Sequence, residues 1–165
     1  MEDVAGHVGL RDLDDDDLDA VFEMMRTPEA VEMAAFTAAD PDDRESFDAW
    51  IARERSSPGV HMYVVTEDGG FAGTAAVFAV DGEREVTFWI ARNAWGRGVA
   101  SEALRLLVSQ EPERPLFART AATNAASLAV LTKAGFTEVS RTLALAPALG
   151  REVEELTLTL APVLE

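Results

Sequence analysis

The sequence predicts one α/β (α+β) domain, a mixed and mostly antiparallel sheet of about seven strands with helices on both faces. Two observations predict it. Between residues 61 and 91, three β-rich segments are separated only by the short turns Asp68-Gly69-Gly70 and Asp81-Gly82, which implies an antiparallel meander. After Gly98, helical and strand-like periodicities alternate. With 165 residues, 48% of them hydrophobic, the chain has room for one real core, so residues 1–165 are expected to form a single domain.

Residues 8–13 read as a first strand. Asp14, Asp15, Asp16 and Asp17 follow, and then Leu18, Val21, Phe22 and Met25 fall at helical spacing. Aspartates there suit the orphan N–H groups and the positive dipole end of a helix start. Pro28 is expected to open a short helix toward Phe36. Pro41 is expected to open another, with Phe47, Trp50 and Ile51 on its buried face. Ser56-Ser57-Pro58-Gly59 breaks the chain. The meander strands are expected over 61–67, 71–80 and 85–91. Ala100, Ala103, Leu104, Leu107 and Val108 mark a strong amphipathic helix. A short strand over 116–120 and a helix over 124–134 come next, stopped by Gly135. Strands over 137–145 and 153–160 close the chain, the second alternating Leu156, Leu158 and Leu160 with Thr157 and Thr159.

Composition removes several function classes. There is no cysteine, so disulfides, thiolate metal sites and a cysteine nucleophile are excluded. The formal net charge of −16 disfavours nucleic acid and anionic membranes, which need clustered Lys and Arg, and leaves cationic partners open. No apolar run approaches the length of a membrane span. Met1-Glu2-Asp3 lacks the basic, apolar start of a secretory signal, so a cytoplasmic location is expected. No His, Asp or Glu spacing suggests a metal site, and none is expected.

Chemistry concentrates in the stretch from Trp89 through Ile90, Ala91, Arg92, Asn93, Ala94, Trp95, Gly96, Arg97, Gly98, Val99, Ala100 and Ser101. A strand runs into a turn with two glycines, and a helix begins at once. Helix N-termini carry unpaired N–H groups and a positive dipole end, and glycine lets a ligand approach the backbone. Together they form a diphosphate cradle, to which Arg92 and Arg97 add positive charge. A tight turn of purely structural purpose would use the same residues. A dinucleotide-binding βαβ unit fits poorly, because a meander precedes the loop, and the Gly-Lys-Ser/Thr ending of a Walker loop is missing. Farther along, Asn124 and Ser127 stand three residues apart at a helix start, where an ordinary N-cap would also explain them.

Residues 95–100, Trp-Gly-Arg-Gly-Val-Ala, resemble the coenzyme A pyrophosphate loop of the GNAT superfamily of N-acetyltransferases. Its usual form is Gln or Arg, two variable residues, Gly, one variable residue, then Gly or Ala. Gly98 and Ala100 match, whereas Trp95 replaces the Gln or Arg. Trp there resembles the branch that acetylates N-termini of ribosomal proteins (RimJ/RimL-like). Residues 124–136, with Asn124, Ser127, Lys133, Gly135 and Phe136, resemble that branch's second signature. The order of elements extends the resemblance over nearly the whole chain.

The resemblance implies the GNAT fold and transfer of an acetyl group from acetyl-CoA, the acyl-donor substrate, to a primary amine. The amine, on a protein N-terminus or a small molecule, attacks the thioester directly. Backbone amides of Arg97, Gly98, Val99, Ala100 and Ser101 would hold the diphosphate. Strand backbone at Trp89, Ile90 and Ala91 would meet the pantetheine amides, and Asn124 and Ser127 would line the coenzyme's far arm. Arg92, Trp95 and Gly96 complete the expected coenzyme-binding set. Glu85, at the start of the strand leading to the loop, is the candidate general base; an ordinary strand-start carboxylate is the other reading. Many relatives use a Tyr after the fifth strand to protonate the departing thiolate, but the single tyrosine here is Tyr63, and Ser127 is the substitute the branch suggests. His7 and His61 are expected to be structural. Relatives include monomers and homodimers. A non-catalytic acyl-CoA-binding regulatory module is the alternative.

Overall fold

The computed structural model describes residues 5–34 and 40–161; the segment toward Phe36 and the chain's first residues lie outside them. The elements run β1 (Val8–Asp12), α1 (Leu18–Arg26), α2 (Pro28–Ala34), α3 (Arg44–Ser56), β2 (His61–Glu67), β3 (Gly70–Val80), β4 (Glu83–Ile90), α4 (Val99–Gln110), β5 (Leu116–Ala121), α5 (Ala125–Lys133), β6 (Thr137–Ala146) and β7 (Arg151–Leu160). Short 3-10 turns precede α1 at Asp15–Asp17 and α4 at Arg92–Ala94.

All seven strands form one sheet in the order β1-β2-β3-β4-β5-β7-β6. Every neighbouring pair is antiparallel except β4 and β5. Helices cover both faces. Leu104 and Leu107 of α4 and Leu131 of α5 pack with Val86, Leu116, Ala118, Leu156 and Leu158. On the other face, Val21 and Met24 of α1 and Ile51 of α3 pack with Val64, Trp89 and Ala91.

Local chemistry explains the element ends. Asp14 accepts from the Asp16 N–H, and Asp17 accepts from the Asp14 N–H at 2.8 Å, a reciprocal cap. Asp17 also takes both ends of the Arg11 guanidinium, at 2.7 and 2.8 Å, tying α1 to β1. Those donors hold its carboxyl below the usual aspartate range. The third helix begins at Arg44 rather than at Pro41, because Asp43 supplies the cap, accepting from the Ser46 N–H. At the end of α5, Gly135 adopts φ +100°; the Phe136 N–H reaches back to the Leu131 carbonyl and the Gly135 N–H to that of Thr132. This Schellman stop turns Phe136 into the core beneath α5, where it is 2% exposed.

Candidate active site

The feature that sets the site is where β4 and β5 stop pairing. They share only the rungs Arg84↔Leu116 and Glu85↔Phe117, after which residues 86–90 and 118–121 diverge. The split opens a cleft of about 700 Å³. It is lined by Phe88, Trp89 and Ile90 of β4, by Gly98 and the first turn of α4, by Ala118 and Thr120 of β5, and by Asn124 and Ser127 at the start of α5.

Backbone polarity follows from the ladder. Hydrogen-bonding residues alternate along an antiparallel strand. The Ala91 N–H donates to the Ala72 carbonyl, so Trp89 and Thr87 also turn their backbone groups toward β3. Phe88 and Ile90 turn theirs toward the split. The Ile90 carbonyl accepts from the Trp95 indole N–H at 2.7 Å, and the Arg92 guanidinium covers that indole at 4.7 Å. Trp95 therefore folds the glycine turn back onto the end of β4 and leaves the Phe88 N–H and carbonyl and the Ile90 N–H facing the cleft. Close packing on the other side fixes the strand's position: a Cβ on Gly73 would lie 2.0 Å from the Trp89 carbonyl oxygen.

At one end of the cleft, α4 begins at Gly98, which has φ +84° and no side-chain cap. The Val99, Ala100 and Ser101 N–H groups precede the helix's own ladder, whose first bond runs from Glu102 to the Gly98 carbonyl. They give the cleft a concentrated positive dipole end. A Cβ at Gly96 or Gly98 would meet nothing within 4 Å, so glycine serves the positive φ there rather than tight packing.

At the other end, on the face covered by α1 to α3, lies Glu85. It is 7% exposed, and its Oε1 is 3.0 Å from the Arg119 Nε. Burial pushes the Glu85 carboxyl above the usual range; Arg119 opposes this, while Glu155 and Glu83 add to it. The cleft thus passes through the sheet, from helix amides on one face to an ionisable cluster on the other.

Of the residues singled out from sequence, Glu85, Trp89, Ile90, Trp95, Gly96, Gly98, Val99, Ala100, Ser101, Asn124 and Ser127 line this one cleft. Ala91, Arg92 and Arg97 stand beside it. Ala91 packs toward α1 and α3. The Arg97 guanidinium pairs with Glu67 and reaches the Asn93 carbonyl at 2.9 Å, so its charge is largely matched. Asn124 accepts from the Ser127 N–H at 3.1 Å, the N-cap geometry. Tyr63 stacks on His61 with ring centres 4.1 Å apart, and His61 meets Asp12 at 2.6 Å, all away from the cleft. Arg119, Thr120 and Glu155 line the cleft without having been singled out. The β5–β7 register, which sets Ala121 opposite Glu155, brings them in. Among the described residues no cluster of His, Asp or Glu could hold a metal, and no helix is long and apolar enough to cross a membrane.

Comparison with known proteins agrees with this geometry. Residues 7–137 match the model of the acetyltransferase (GNAT) domain, and the chain belongs to that family. Among solved structures, the ribosomal-protein-alanine N-acetyltransferase of Brucella melitensis superposes with a TM-score of 0.77 at 25% identity, over 93% of this chain and 99% of that one. The spermidine N-acetyltransferase of Vibrio cholerae, solved with CoA and spermine, gives 0.80 at 14% identity over 93% and 95%. Mycobacterium smegmatis RimJ, solved with CoA-disulfide, gives 0.76 at 20% identity over 97% and 84%. The last two establish the fold alone. The first is named for the ribosomal-protein branch that Trp95 and residues 124–136 resemble. No curated protein sequence matches the chain.

Proposed function

We propose that this chain is, over residues 1–165, one catalytic domain that moves an acetyl group from acetyl-CoA to a primary amine. The observation that carries the reading is the cleft itself: uncapped helix amides on one face of the sheet, a buried carboxylate on the other, and free strand backbone between them. One end suits a diphosphate and the other suits an ammonium.

In this reading the N–H groups at the start of α4 hold the diphosphate of the coenzyme. The Phe88 and Ile90 backbone, directed into the split, pairs with the amides of its pantetheine arm. Those groups are fixed by the β3 ladder, so they need no reorganisation when the coenzyme enters. Asn124 is committed to capping α5 and shapes the wall. Glu85 takes a proton from the acceptor ammonium, directly or through one water. The neutral amine then attacks the thioester carbonyl carbon, and the carbonyl oxygen becomes an oxyanion. Collapse breaks the C–S bond, and the proton that the attacking nitrogen now loses passes through Ser127 or water to the departing thiolate, leaving amide and free thiol. A carboxyl raised above its ordinary range is a better base than an exposed one, because its proton affinity lies closer to neutrality. An α-amine, with a pKa of about 8, is easier to deprotonate than a lysine, at about 10.4. That difference favours protein N-termini and weakly basic small amines as acceptors.

Turnover is the test. Acetyl-CoA with a panel of N-terminal peptides and small amines should release free thiol in proportion to acetylated amine. Stabilisation by acetyl-CoA without any thiol release across the panel would instead identify a regulatory acyl-CoA-binding module.

A further inference from the structure

On the face of the sheet away from α4, Glu85 occupies the last rung that β4 shares with β5. Arg119 stands beyond that rung, on the part of β5 that has already left β4. Its side chain must reach back toward β4 to bring its Nε to 3.0 Å from the Glu85 Oε1. The pair spans the mouth of the split. It is also asymmetric, since the Arg119 side chain is 48% exposed and that of Glu85 9%. The carboxylate is thus buried in the wall, and the cation covers it from solvent.

We propose that Arg119 is a positioning residue for the acceptor end of the cleft: it anchors one oxygen of Glu85 and keeps that side chain charged and aimed into the split. The proposal rests on the reading of Glu85 as the base. The groups that face Glu85 explain why such an anchor is needed. From β3 the neighbour across the ladder is Phe78, and from β5 it is Phe117. From α2 the cleft residue is Ala30. These are apolar and offer a carboxylate no hydrogen bond. Glu155, from β7, and Glu83, on the same strand, are like charges that favour protonation of Glu85. Arg119 is the cation acting against them. Without it, among the described residues, burial and two carboxylates act unopposed. A base must be ionised to accept a proton, so the loss would confine activity to higher pH.

The experiment reads Glu85 directly. In protein labelled with carboxyl ¹³C-glutamate, its resonance is identified by its disappearance in Glu85→Gln. It is then titrated in wild type, Arg119→Gln, Arg119→Lys and Glu155→Gln, with no substrate added. The midpoint is expected to rise by roughly one pH unit or more in Arg119→Gln. Arg119→Lys, which keeps the charge but loses the planar fork, should restore part of that shift. Glu155→Gln should lower the midpoint. With an acceptor taken from the thiol-release panel, the acidic limb of kcat/KM should move with the midpoint while the high-pH plateau changes only a few-fold. An unchanged midpoint in Arg119→Gln overturns the proposal, as does a rate loss equal at every pH. If Arg119→Gln does not fold, Arg119→Lys and Glu155→Gln decide it, and the absence of a shift in both overturns it. The underlying reading fails separately: undiminished turnover in Glu85→Gln would remove Glu85 as the base, whatever the titration shows.

Discussion

Two helices open on the same cleft, and they begin in opposite ways. The start of α5 is closed by its own sequence, with Asn124 accepting from the Ser127 N–H. The start of α4 has a left-handed glycine and no side-chain cap. Elsewhere the chain caps its helices readily, with Asp14 before the turn into α1 and Asp43 before α3. The first turn of α4 does carry Glu102, yet no carboxylate side chain caps its N-terminus. The difference separates two uses of a helix start: in the proposed reading the open amides of α4 receive the coenzyme's anion, whereas those of α5 serve the fold.

The sharpest way to break this contrast is to cap α4. Gly98→Asp places a carboxylate among the amides, and aspartate tolerates positive φ better than most residues. Thermal stability of the free protein should stay within about 1 kcal/mol, since cap gain and backbone strain oppose each other. Stabilisation by acetyl-CoA should vanish, a loss of affinity of roughly 100-fold or more. An undiminished thermal shift would place the coenzyme elsewhere.

A second contrast sets two buried carboxylates against each other. Glu85→Gln should lower kcat roughly 100-fold with little change in coenzyme affinity. It should not lower the melting temperature at neutral pH. The folded-state pKa of Glu85 is raised, so its contribution to stability is present below about 4.3, the unfolded value, and is lost as pH climbs through the folded value. Asp17 has the reverse sign. Its folded pKa is lowered, so its contribution is present above about 3.9 and is lost as pH falls through the folded value. Asp17→Asn should therefore destabilise the protein by about 1–2 kcal/mol at neutral pH and leave the kinetics alone. Denaturant melts at several pH values distinguish the two.

Smaller effects complete the series. Asn124→Ala should cost about 1 kcal/mol of stability through the lost cap, seen as a lower melting temperature, with turnover changed less than its stability suggests. Trp95→Phe removes the indole N–H from the Ile90 carbonyl. It should cost at most about 1 kcal/mol and raise the KM for acetyl-CoA a few-fold.

These regions were unequally legible in the sequence. The entrance to α4 is local: glycines, a strand before and an amphipathic pattern after lie within a dozen or so residues, and backbone geometry demands those residue types. The same holds for Gly135 and Phe136, where a left-handed stop and a core plug are adjacent. Arg119 and Glu155 were not legible, because only the splay of β4 from β5 and the register of β7 bring them to Glu85. The partner of Arg97, Glu67, lies on β2, so a cation that reads as diphosphate-directed is spent on another strand. The start of α3 was misplaced because Pro41 and Asp43 both signal a helix entrance, and the aspartate, which can accept the Ser46 N–H, sets the boundary.

Two rungs, Arg84↔Leu116 and Glu85↔Phe117, are all that stitch the β1–β4 half of the sheet to the half made of β5, β7 and β6. A seam so short is the weakest line in an otherwise continuous fabric. In the proposed reading the coenzyme's pantetheine arm lies along it and bonds to the β4 edge where rungs are missing. Its arrival should slow hydrogen exchange at Phe88 and Ile90, whose amides face the gap, more than anywhere in the meander's outer strands.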